Sequence, residues 1–117
     1  MIETEQLIDN LIEAASDKKA EDIIVLDLRS YSTITDYFMI CSGGSHRQVQ
    51  AVADEMLDRA RTLGVRAHHI EGQGSNDWVL ADFNELVVHV FHKERRKFYQ
   101  LEHLWRDAVV YFKSPEE

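Results

Sequence analysis

Ser75-Asn-Asp-Trp-Val-Leu-Ala-Asp-Phe-Asn-Glu-Leu-Val-Val-His-Val-Phe-His92 reads as two strands joined by a tight turn. Trp78 to Asp82 is the first strand and Leu86 to Phe91 the second. Phe83-Asn84-Glu85 fits a short hairpin loop, because Asn tolerates a positive φ. Side chains on a strand alternate between faces. Trp78, Leu80 and Asp82 therefore share one face, and Val79, Ala81 and Phe83 the other. The second strand is apolar at nearly every position, as a strand covered on both faces is. The hairpin thus sets a buried central strand beside a neighbour whose one mixed face carries a large aromatic. That mixed face is the first candidate for function.

Outward from the hairpin, the flanks read as alternating helices and strands. Leu7, Ile8, Leu11, Ile12 and Ala15 recur at helical spacing and predict a helix over residues 4–16. Ile23 to Leu28 is an apolar, β-branched run that predicts a strand. Arg29 to Asp36 is polar and predicts a loop. Tyr37 to Ser42 predicts the next strand, antiparallel to the one before it, since the connection is too short for a crossover. Gly43-Gly44-Ser45 turns the chain into a second helix. Ser45 with Gln48 matches a capping box, and losing that cap costs about 1 kcal/mol. Val49, Val52, Ala53, Met56, Leu57, Ala60 and Leu63 carry the helical period on to Gly64, which stops it. Arg66 to Glu71 predicts a third strand, parallel to the strand before the helix through a right-handed crossover. Gly72 to Asp77 is a loop into the hairpin. After His92 the run Lys93-Glu94-Arg95-Arg96-Lys97 opens a third helix, with Phe98, Leu101, Leu104, Trp105 and Ala108 on one side. Residues 109–117 are set apart as a C-terminal tail. The expectation is a single α/β domain over 1–117: a mixed five-stranded sheet with three helices, too few to cover both faces.

Composition narrows the function classes. At 117 residues the chain is one domain with room for a real core. Its net charge of −8 argues against binding bare nucleic acid and suits a basic protein partner. Cys41 is the single cysteine, so an internal disulfide is excluded and a cytosolic setting is expected. The N-terminal residues lack the pattern of a signal peptide, and no apolar run reaches the length of a membrane span.

The candidate chemistries are weak. Six histidines (His46, His68, His69, His89, His92 and His103) invite a metal reading. On a strand, however, His89 and His92 point to opposite faces, as do His68 and His69, so no metal site is expected. Gly43-Gly44-Ser45 before a helix resembles a phosphate-binding turn. It lacks the P-loop lysine and the G-x-G-x-x-G spacing. Asp54 and Glu55 diverge by about 100° around a helix, where two-metal nucleotidyl transfer needs convergent carboxylates. A glycine turn with a helix cap accounts for the same residues, and no catalytic residue is expected. Arg95-Arg96-Lys97 reads as a solvated first turn of helix, or as one or two phosphate contacts at the edge of a larger interface.

Several segments, in order and spacing, match one family. They are Asp36-Tyr-Phe-Met-Ile-Cys-Ser-Gly-Gly-Ser-His-Arg-Gln48, Glu71-Gly72, Asp77-Trp78, Asp82-Phe83, Val87-Val88-His89-Val90-Phe91 and Tyr99-Gln-Leu-Glu-His-Leu-Trp105. From about residue 4 to residue 108 the chain resembles the ribosomal silencing factor family, also called Iojap-like. The resemblance implies a small domain similar to nucleotidyltransferases without their catalytic carboxylates, and no cofactor. It implies binding to the large ribosomal subunit through large-subunit ribosomal protein fourteen, a steric block of subunit joining, and repression of translation when nutrients are short. At most a peripheral contact with ribosomal RNA is expected. Asn84 stands where the family usually has Gly. The partner surface is expected on Asp77, Trp78, Leu80 and Asp82, with Arg95 and Tyr99 beside it. Trp and Tyr are frequent interface anchors, and Asp77 is placed to meet a basic residue. Two other readings remain: a nucleotide-binding enzyme using Gly44-Ser45, and a homodimer off the ribosome that buries Trp78 against a second copy.

Overall fold

A computed structural model describes residues 2–30, 35–99 and 108–115, with residues 97–99 described as backbone alone. The elements in chain order are α1 (Thr4–Asp17), β1 (Glu21–Asp27), β2 (Tyr37–Gly43), α2 (His46–Thr62), β3 (His69–Glu71), β4 (Trp78–Asp82), β5 (Leu86–His92), α3 (Lys93–Tyr99) and β6 (Val109–Lys113). The strands lie in one mixed sheet of order β3-β4-β5-β2-β1-β6. β2 and β5 are the adjacent parallel pair, and the other neighbouring pairs are antiparallel.

The hairpin forms as its alternation dictates. Trp78 pairs with Phe91, Leu80 with His89 and Asp82 with Val87. Asn84 takes φ 79° in the turn, and its amide donates to Asp82 Oδ1 at 2.8 Å. Val79, Ala81, Phe83, Val88 and Val90 face α2. There they join Leu7, Ile8, Leu11, Val49, Val52 and Met56 in the main core. The apolar stripes of α1 and α2 are therefore buried against this one face of the sheet.

The structure differs from the sequence reading at the C-terminal run and at the third strand. The sheet has a sixth strand: residues Val109–Lys113 of the expected tail pair antiparallel with β1. The run is β-branched and aromatic, and the outer edge of β1, distant in sequence, accepts it. The second face of the sheet is covered in part, with Trp78, Leu80, Phe38 and Val87 half-buried on it. α3 lies against β5 and β2, where Phe91 and Ile40 are buried. β3 is shorter than 66–71, although His68 N still donates to Asp82 O at 2.7 Å. The rest of the expected third helix, residues 100–107, lies outside the described residues. β3 does run parallel to β2, but α2 carries the chain past β5 and β4 to reach it.

Candidate functional site: the Trp78 platform and its polar knot

Around α2 the chain uses its polar groups on itself. Ser45 Oγ accepts from the Gln48 amide at 3.1 Å. The Gln48 side chain does not return to Ser45, as the capping-box reading had it. Its Oε1 accepts from the Gly44 amide at 2.6 Å, and its Nε2 donates to the Lys18 and Lys19 carbonyls. That ties the start of α2 to the end of α1. Gly43 is required here, because a Cβ would sit 2.9 Å from the Val49 nitrogen. The turn that resembled a phosphate cradle thus has the Gly44 amide and the Ser45 hydroxyl engaged internally. Asp54 and Glu55 do not converge either, since Glu55 is held by Arg59 at 3.2 Å.

A second polar group forms where β2 and β5 end side by side. α2 leaves β2 toward one face of the sheet, and α3 leaves β5 toward the other. Asp77 sits between them. Its Oδ1 takes His46 Nε2 at 2.7 Å, and Arg95 Nη2 stands 3.6 Å from its Oδ2. Its carbonyl accepts from His92 N at 2.8 Å. The His46 and His92 rings lie 4.7 Å apart. The hydrogen bond from His46, helped by the nearby Arg95 charge, holds the Asp77 carboxyl below the usual range. Asp77 therefore ties the loop, α2, β5 and α3 together, although its side chain remains 39% exposed.

This knot positions Trp78. The preceding loop turns at Gly72, which has φ +86°, and a Cβ there would strike the Trp78 carbonyl oxygen at 1.9 Å. The indole lies over Phe91 with centroids 4.9 Å apart and planes 26° from parallel. Its Nε1 donates to His89 Nδ1 at 3.0 Å. His89 is 4% exposed, and among the described residues its Nε2 has no hydrogen-bond partner. Because Nδ1 accepts, the neutral ring carries its proton on Nε2. Burial pushes the His89 pKa down to about 4. The ring also meets Phe38 edge-on, with centroids 4.8 Å apart.

The expected site residues divide accordingly. Asp77, Trp78 and Arg95 come together at one end of the sheet. Leu80 continues the same half-buried face. Asp82 lies at the far end of β4, about 13 Å along the strand from Trp78, and its carboxylate is spent on the turn. The Tyr99 side chain lies outside the described residues. Trp78 is half-buried, stacked on Phe91 and hydrogen-bonded to His89, so its removal is expected to cost stability. Arg96 is also reassigned: it donates to the Asp22 carbonyl and to Ser42 Oγ, so it fastens α3 to the sheet. The residue that sequence reasoning missed is His89. Its signal was a lone imidazole within Val87-Val88-His89-Val90-Phe91, but the partner emerges only once the β4–β5 register is known.

Among the described residues no group of three His, Cys, Asp or Glu converges to hold a metal ion. No described helix is long and apolar enough to cross a membrane. A sequence model described as ribosomal silencing factor during starvation matches residues 1–117. The chain belongs to the ribosomal silencing factor family. The silencing factor of Bacillus subtilis is 50% identical over 97 residues, covering 83% of this chain and 82% of that one. A mouse relative, named for mitochondrial assembly of the ribosomal large subunit, is 35% identical over 101 residues, or 84% of this chain and 44% of its own. A crystal structure of a Chromobacterium violaceum protein superposes with a TM-score of 0.87 at 32% identity, covering 98% of this chain and 92% of that one. The silencing-factor fold thus spans nearly the whole chain, with the Trp78 platform at one end of its sheet.

Proposed function

We propose that this chain binds the large ribosomal subunit through large-subunit ribosomal protein fourteen, and that it does so with the Trp78 end of the sheet. Bound there, it blocks joining of the small subunit in the cytoplasm and represses translation under nutrient limitation. It does so as a steric regulator and not as an enzyme. The observation that carries the reading is the family match over the entire chain. The mouse relative's name points toward the same subunit. The net charge of −8 favours a basic ribosomal protein and speeds encounter with it. Trp78 offers an aromatic anchor already fixed in one orientation, which lowers the entropy lost on docking. Arg95 beside it can meet an acidic group or phosphate at the rim.

Co-sedimentation with separated ribosomal subunits tests this. The protein is expected in the pellet with large subunits and in the supernatant with small ones. Equal recovery with both subunits, or with neither, overturns the reading. If wild type pellets with large subunits and Trp78→Phe does so equally well, the family function stands and the Trp78 assignment falls.

A further inference from the structure

At the other end of the sheet β6 is the outermost strand. Among the described residues the exposed large hydrophobic side chains are Val109 at 65%, Val110 at 50% and Tyr111 at 37%, and all three lie on β6. An outer strand presents unpaired backbone groups, and native proteins usually blunt such an edge with proline or charge. Val109-Val110-Tyr111-Phe112 has neither, and the charge of Lys113 and the ring of Pro115 come only at the far end of the strand. One irregularity is present: Leu26 pairs with Val110 and Val25 with Phe112, which leaves Tyr111 bulged. Its ring is braced edge-on over Tyr37 with centroids 5.7 Å apart. The strand is anchored at its end, where Ser114 exchanges hydrogen bonds with Ile23. Among the described residues this is an anchored apolar edge with no strand beyond it.

Charge selects the occupant. Beside the edge run the exposed carboxylates of α1. Asp9 Oδ1 accepts from the Tyr111 hydroxyl at 3.1 Å, and Glu5 Oε1 accepts from the Tyr37 hydroxyl at 3.4 Å. Asp27, opposite Val109, is neutralised by Arg29. A second copy of the chain pairing about this edge would set Glu5 and Asp9 against their own duplicates. A cationic strand would satisfy them.

We propose that the outer edge of β6 accepts an extended basic segment of a partner protein as one more strand. Backbone pairing supplies the register, Val109 and Val110 meet apolar residues of the segment, and its Lys or Arg side chains reach Glu5 and Asp9. The surface lies across the sheet from Trp78, so it stands or falls separately from the proposed function.

The test is hydrogen exchange of the full-length protein with a short peptide alternating Lys and Val, and with its counterpart alternating Glu and Val. The lysine peptide is expected to slow exchange in 109–113 by roughly tenfold or more, and the glutamate peptide to leave it unchanged. Val110→Lys and Asp9→Asn, both at exposed positions, are each expected to weaken the protection several-fold. Three results overturn the proposal. They are no protection of 109–113, equal protection by both peptides, and protection without peptide that grows with protein concentration, which would identify a second copy as the occupant.

Discussion

Replacing His89 by Leu removes the buried imidazole while keeping an apolar side chain of similar size. The neutral ring accepts from the Trp78 indole in the folded state, and burial lowers its pKa from 6.5 to about 4. The unfolded chain therefore takes up a proton at higher pH than the folded one does. Stability from the neutral ring is present above pH 6.5 and is lost as pH falls toward about 4. Linkage puts that loss at about 2 kcal/mol between pH 7 and pH 5, and about 3 kcal/mol once both states are protonated. At pH 7 His89→Leu costs about 1–2 kcal/mol, because it removes the acceptor for the indole. Carboxylates such as Asp77 titrate alike in both proteins, so the difference between the two isolates His89. Urea unfolding of wild type and His89→Leu at pH 7, 6 and 5 reads it directly. The advantage of wild type at pH 7 is expected to vanish or reverse by pH 5. A gap that stays constant over that range refutes the buried, neutral assignment of His89.

Other substitutions follow from the same geometry. Trp78→Phe keeps the stack on Phe91 and loses the indole donor, so it should destabilise by about 1–2 kcal/mol in urea unfolding. Trp78→Ala also loses the half-buried ring and should cost about 2–4 kcal/mol; a loss below half a unit would contradict the packing described. Gly72→Ala forces a Cβ into the Trp78 carbonyl at a positive φ. It should lower the unfolding midpoint sharply, whereas Gly74→Ala, with open space around it, should show only the smaller backbone strain.

The local parts of the fold were legible because their signals are local. The alternation in Trp78–Asp82, the apolar run of β5 and the helical spacing in α1 and α2 each lie within one short window. Asn84 marked a positive-φ turn in the same way. What was hidden depends on partners distant in sequence. Val109–Lys113 became a strand only because β1, more than eighty residues earlier, offers a free edge. Gln48 showed its period as a cap, but its grip on Lys18 and Lys19 needed α1 to end beside it. Trp78 was legible as a candidate from its mixed face. Its bond to His89 was not, since that requires the β4–β5 register. Arg96 looked like part of a solvated basic run until α3 was laid across Ser42.

The central claim is that this protein keeps the two ribosomal subunits apart from the large-subunit side. Purified large subunits are incubated with the protein, small subunits are added, and the mixture is resolved on a sucrose gradient. The joined particle is expected to decline as the protein approaches equimolar with large subunits, with the protein co-migrating with the free large subunit. Full formation of joined ribosomes with the protein bound at saturation, or protein found with the small subunit instead, would contradict it.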